Sequence, residues 1–261
     1  MIWKMKLNKL VSILTLAGAL VLPRLAFGAA SLTAAFEKGN VYYSKGNYQG
    51  ALNAYKALLN EGYESAPLYY NIGNAYYKLG EIPSALLYYE KAHKLAPGDD
   101  DINFNIRFTN LKTTDKIDEV PEFFLANWWK KIILSVSIST LSVFSVLFVL
   151  LASAALIFYF FAQSVTLKKT SFYISVTVFT FGLLTLFISG RQSAYFNGHK
   201  QAIIFTSSAS VKNGPVSSSG TLFVLHEGTK LNVLDSNNGW LKIRLANGNE
   251  GWIKAADVQE I

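Results

Sequence analysis

Two runs decide the fold: LSVFSVLFVLLASAALIFYFF (141–161) and SFYISVTVFTFGLLTLFIS (171–189). Each is about as long as the roughly 20 residues a helix needs to cross a hydrocarbon core. The first sits in a longer apolar segment, 132–163, whose beginning is weakened by Ser135, Ser137, Ser139 and Thr140 and is expected at the interface. The second span is 171–190, and a short turn, 164–170, carrying Lys168 and Lys169 joins the two. A hairpin returns the chain to the side it came from, so the segments before and after it share a compartment. Neither span holds an acid, a base or a proline. Conduits place such residues at mid-membrane, so the pair reads as an anchor in the lipid bilayer.

The whole chain fits that reading. Of 261 residues 51% are hydrophobic, and the mean hydropathy of +0.25 is high for a soluble protein of this size. There are no cysteines, which excludes disulfides, zinc–thiolate centres and thiol catalysis. The formal charge is +7, but residues 1–28 contribute Lys4, Lys6, Lys9 and Arg24 with no acid. The rest of the basic residues are scattered among acids, which gives no nucleic-acid footprint. Residues 1–28 have the three parts of a secretory signal peptide: a basic start, the apolar run Leu10 to Leu22, and small residues at Ala26 and Gly28. Export places residues from Ala29 onward outside the cytoplasm. Lys168 and Lys169 then lie on the cytoplasmic side, although Lys130, Lys131 and Arg191 flank the other ends.

From Phe36 to Pro97 the sequence repeats at an offset of 34. Gly39 aligns with Gly73, Tyr42 with Tyr76, Gly46 with Gly80, Ala51 with Ala85, and Tyr55 with Tyr89. Small residues let two antiparallel helices approach, tyrosines fill the wedge beside them, and Gly46 and Gly80 suit the ends of first helices. Period and residues resemble the tetratricopeptide repeat (TPR). The domain covers 29–112, with repeats 32–65 and 66–99. A capping helix, 100–112, is expected to use Ile102, Ile106 and Leu111 as its buried face. The resemblance implies that the first helix of each pair lines a groove for protein partners. That register points to Asn40, Tyr43, Ser44, Tyr70, Asn74, Tyr77 and Lys78 as partner-binding residues. The competing use of these tyrosines is packing between helices.

The segment 113–131 is an aromatic neck. Its Phe123, Phe124, Trp128 and Trp129 suit a lipid headgroup boundary. Past Arg191 the composition turns to β-branched residues, glycine and asparagine. Five short strands are expected at 202–205, 222–225, 230–234, 240–245 and 251–254, with tight turns at Asn237-Asn238-Gly239 and Asn247-Gly248. The phrases LHEGT (225–229), GWLKI (239–243) and GWI (251–253) resemble a bacterial SH3 domain over 201–261. Trp240 and Trp252 are candidates for its ligand face, with filling of the barrel core as the alternative. His226 beside Glu227 reads as loop polarity.

The expected architecture is a multi-domain membrane protein: an all-α helical repeat, a transmembrane hairpin and a small all-β barrel. Together with the neck residues Asp115-Lys116-Ile117, Pro121-Glu122-Phe123-Phe124-Leu125 and Trp128-Trp129, it resembles the E-type subunit of the Bacteroides aerotolerance (Bat) operon family. That resemblance implies a two-pass protein of the bacterial inner membrane, both soluble domains facing the periplasm. It implies a scaffold for other membrane subunits, including von Willebrand A-domain proteins, in stress tolerance. The alternative is an envelope sensor whose SH3-like domain grips peptidoglycan. His93, His199 and His226 are far apart in sequence, and no phosphate loop or nucleophile motif is present. Catalytic residues, metal ligands and cofactors are therefore not expected.

Overall fold

The computed structural model describes residues 32–118, 120, 121 and 123–261; the expected signal peptide lies outside them. The chain divides into two compact units, one ending at Glu64 and one running from Ser65 to Ile261.

In the first unit, helix α1 covers residues 32–44 and α2 is Tyr48–Asn60. Gly46 turns the chain at φ 76°, a conformation glycine adopts without a Cβ penalty, and Asn47 caps α2 by accepting from the Gly50 N–H. Tyr55 packs where a Cβ on Gly39 would overlap its ring, and its hydroxyl donates to Asn40 Oδ1 at 2.7 Å.

The second unit opens with the same device. Helices α3 (Ala66–Leu79) and α4 (Ile82–Leu95) meet at Gly73, where a Cβ would lie 2.6 Å from the Tyr89 ring, and the Tyr89 hydroxyl donates to Asn74 Oδ1 at 2.7 Å. Asp99 caps α5 (Asp100–Asn110) by accepting from the N–H groups of Asp101 and Ile102. Of the face expected on α5, Ile102 is buried and Ile106 half-buried, but Leu111 is 72% exposed and lies past the helix end. The helix stops early for a physical reason. The Lys116 ammonium donates to the carbonyls of Asn110, Leu111 and Thr113 and turns the chain away.

Helix α6 (Phe124–Ile133) precedes two long apolar helices, α7 (Ile138–Phe161) and α8 (Val165–Gly198). Ser137 caps α7 and Ser164 caps α8, so serines that weaken apolar runs act here as helix starts. Helix α8 begins inside the turn expected over 164–170. Lys168 and Lys169 stand in its opening turns, and the connector is only 162–164. With 34 residues, α8 is about 51 Å long at ~1.5 Å per residue, some 20 Å beyond a hydrocarbon core of ~30 Å. Its seam with α7 is small and polar: Ser145 and Thr185 hydroxyls meet at 2.7 Å, Ser175 donates to the Ala152 carbonyl, and Gly182 lies close to Phe148.

Seven antiparallel strands complete the chain: β1 Gln201–Ile204, β2 Ser208–Lys212, β3 Thr221–His226, β4 Lys230–Asn237, β5 Trp240–Arg244, β6 Glu250–Lys254 and β7 Val258–Glu260, in the order β3-β2-β6-β5-β4-β1-β7. Strands β2 and β7 were not among the five expected; β2 is short and serine-rich, and β7 is three residues long. The turn at Asn238-Gly239 has φ 45° and 81°, both positive, as a two-residue hairpin of this twist requires. All seven strands contribute to one aliphatic cluster, including Ile204, Val211, Leu225, Leu231, Ile243, Ile253 and Val258. A single sheet can feed one core from every strand only by curling on itself.

Candidate functional site

Helix α4 has two working sides. One faces α3 through Tyr89; the other carries Leu86 and Leu87, which are buried with Ile203 of β1, against Ile82, Phe205 and Ile261. Beside this contact Lys230 donates to Glu90 at 2.7 Å, with the glutamate side chain only 6% exposed. The second repeat and the β domain are therefore one body. Periodicity marks Leu86, Leu87 and Glu90 as helical but not what they face.

Opposite that contact, α3 and α5 share a polar–aromatic surface. Asn105 donates to Asn74 Oδ1 at 2.9 Å and to the Tyr70 hydroxyl at 3.1 Å. Tyr77 packs on Phe108, which stacks on Phe104, and the Lys112 ammonium lies over the Tyr77 ring. Phe104 and Phe108 are exposed, and so is Lys78. The structure thus brings Tyr70, Asn74 and Tyr77 together on α3. It adds Asn105, Phe104 and Phe108, which sequence reasoning missed because α5 lacks the full repeat signature. In the first unit Asn40 receives the Tyr55 hydroxyl, Tyr43 meets Tyr48 edge to face, and the Ser44 hydroxyl donates to the Val41 carbonyl. Asn40 and Asn74 each hold a tyrosine of their own repeat.

The neck is a built segment. Asp115 accepts from the His226 N–H at 2.7 Å and from the Thr229 hydroxyl at 2.7 Å, and it pairs with His226 Nδ1 at 2.9 Å. Burial pushes the Asp115 carboxyl up. The hydrogen bonds from the His226 N–H, its ring and Thr229 outweigh that and hold it below its ordinary value. Ile117 packs on the β core, and the Val120 N–H donates to the Ala246 carbonyl. His226 is thus more than loop polarity: it receives the neck. Its partner is 111 positions away, and no local pattern announces such a pair.

Phe123, Phe124 and Trp128 are strongly exposed on or beside α6, and Trp129 packs toward Phe187 of α8. Gln192 closes the join below them. It is fully buried and donates to the carbonyls of Ile133 and Val136, filling the break between α6 and α7. By strand register Trp240 and Trp252 share the face of β5 and β6 with Lys242 and Lys254, opposite Leu241, Ile243 and Ile253. Neither belongs to the aliphatic cluster; Trp240 is buried and Trp252 half-buried.

A cleft of about 190 Å³ lies between α4, the end of α8 and the β domain, lined by Glu90, His93, Lys94, Phe196, His199 and Lys200 among others. Burial lowers the His93 imidazole from its ordinary value, against the pull of Glu90. Among the described residues no three acids or histidines are grouped to hold a metal ion.

Comparison with known proteins identifies both modules. A tetratricopeptide repeat model matches residues 66–99, a TPR repeat model residues 39–80, and a bacterial SH3 domain model residues 207–259. No curated protein matches. A solved NlpC/P60 family protein from Bacillus cereus is similar at 17% identity over 27% of this chain and 23% of that chain, with a TM-score of 0.21. This chain spans less than a quarter of that structure's length. Tetratricopeptide repeats and bacterial SH3 domains are non-catalytic interaction modules. The chain thus carries tetratricopeptide repeats and a bacterial SH3 domain, beside two helices long and apolar enough to cross a membrane.

Proposed function

We propose that this protein is a two-pass, membrane-anchored adaptor of the bacterial inner membrane, with helical repeat and β domain facing the periplasm. In this reading α7 and α8 span the bilayer, Lys168 and Lys169 lie on its cytoplasmic side, and Phe123, Phe124, Trp128 and Trp129 sit at the opposite interface. The partner is a membrane subunit, of the von Willebrand A-domain kind in a Bat-type aerotolerance complex. It docks on the repeat surface of Tyr70, Asn74, Tyr77 and Lys78, with Asn40, Tyr43 and Ser44 as the matching positions of the first repeat.

One observation carries the reading: α4 is occupied by the β domain while Tyr77, Phe108 and Phe104 on the other side form a continuous aromatic strip with Phe104 and Phe108 exposed. Rigid aromatic rings supply large contact area at low entropic cost, as binding hot spots do. Affinity capture from native membranes tests it. Tyr77→Ala with Phe108→Ala is expected to lose a partner that the wild-type chain retains. Retention of every captured protein by the double variant refutes this surface.

A further inference from the structure

The neck touches the SH3 domain at Asp115, Ile117 and Val120. Residues 115–118 carry no regular secondary structure, and the segment runs from the β3–β4 turn, where Asp115 binds, to the β5–β6 turn, where Val120 binds. Asp115 and Val120 are five positions apart, a separation that allows a reach of up to about 17 Å at ~3.3 Å per residue. Strand β3 is an edge of the sheet, and edge strands present unpaired N–H groups that take up added peptide. The Asp115 carboxylate occupies one of them, the N–H of His226; the same oxygen accepts from the Thr229 hydroxyl and the other oxygen pairs with the His226 ring. Two residues on, Ile117 rests against the aliphatic core. Three further on, the Val120 N–H makes a main-chain bond to Ala246. The receiving turn is shaped for this passage. Gly228 has φ +84°, and a Cβ there would stand 2.8 Å from the methyl of Thr113, just before the segment.

We propose that the SH3 domain is a peptide receptor for an extended segment of the pattern Asp-x-Ile-x-x-Val, and that in the intact chain its site is filled in cis by residues 115–120. The carboxylate supplies charge-assisted hydrogen bonds, the isoleucine supplies apolar burial, and the main-chain N–H fixes the register. A segment tethered this closely competes at an effective concentration on the order of mM, so a free peptide of the same pattern is excluded. The β domain then works inside its own chain, fastening the repeat to the segment that leads to the apolar helices. Its site opens to another peptide only when the neck leaves. This holds whatever docks on the repeat.

The test uses the full chain in detergent micelles and a fluorescent peptide of residues 113–121, with a scrambled peptide as reference. The Asp115→Ala/Ile117→Ala chain is expected to bind the peptide at least tenfold more tightly than the wild-type chain, and to ignore the scrambled one. Binding by neither chain, or equal binding by both, overturns the proposal. A second measurement needs no variant: amide hydrogen exchange in the wild-type chain. Slow exchange at both His226 and Val120 is expected. Exchange of the Val120 amide at the rate of an unprotected residue overturns the cis occupancy even if the double variant does not fold.

Discussion

The hairpin and the body next to it are packed by opposite rules. Between α7 and α8 the polar and small contacts are a glycine, serines, a threonine and an alanine, with Phe148 against Phe181 beside them, while most leucines, valines and phenylalanines are exposed. In the body the aliphatic residues converge, as in the cluster around Ile243 and Ile253 or the contact of Leu86 and Leu87 with Ile203. Where a charge is buried there it is paired, as Glu90 is with Lys230. On the proposed membrane-spanning reading, the difference is one of solvent. Where the surroundings are as apolar as leucine, helices gain little by hiding leucine and associate through close backbone approach and hydroxyl bonds. Where the surroundings are water, burial of aliphatic area drives assembly. The join at Gln192 obeys neither rule alone: a buried amide holds the carbonyls freed where α6 stops.

Substitutions that exchange one rule for the other should separate the two regions. The largest effect is expected in the β core. Ile243→Ala removes a fully buried side chain and should cost about 3 kcal/mol, read as a lower denaturant midpoint of tryptophan fluorescence in micelles. Next is Lys230→Ala, which leaves Glu90 buried and unpaired. Because the lysine is 34% exposed, the cost should fall to about 2 kcal/mol, below that of a fully buried pair. Glu90→Gln/Lys230→Ala should recover part of it.

Acid should act more gently, and through Asp115. Its folded carboxyl lies below its ordinary value of 3.8, so the stability it contributes is complete above that value. The contribution is lost as the pH falls through the lower, folded value. Denaturation series from neutral pH into this range should show the wild-type advantage over Asp115→Asn shrinking under acid. An advantage that grew with acidification would contradict the hydrogen-bonded carboxylate. The smallest effect belongs to the hairpin. Ser145→Ala removes one hydroxyl from the seam and should weaken helix association by roughly 0.6 kcal/mol, measured by proximity labelling of α7 and α8 in micelles. A cost as large as that of Ile243→Ala would mean the hairpin is packed like a water-soluble core.

Much of the fold was readable because it is local. The 34-residue offset places Gly73 and Tyr89, and hence the helix pair; apolar length marks α7 and α8; Asn238-Gly239 marks a hairpin turn. Each depends on what a residue does within a few turns of its own chain. Three features escaped for the same reason reversed. Leu111 looks like a continuation of the α5 face until Lys116 folds back on the carbonyls. Phe104 and Phe108 carry no repeat signature to single them out, and the structure leaves both exposed beside Tyr77 among the described residues. Trp240 and Trp252 could serve core or surface until strand register assigns them the face away from the aliphatic cluster.

The sequence by itself determined the parts: repeat helices, two apolar helices, a β domain, and a chain with no cysteine chemistry. Spacing and composition act through near neighbours and through the solvent, and both are written along the chain. Only the tertiary structure decided how three of those parts are joined. Leu86 and Leu87 meet Ile203, Glu90 meets Lys230, Asp115 meets His226 and Thr229, and Gln192 fills the gap before α7. Those partners lie between 56 and 140 positions apart for the polar pairs, and a single side chain carries no sign of a partner that far away. Their energy comes from desolvation and close placement, which exist only after the chain has folded.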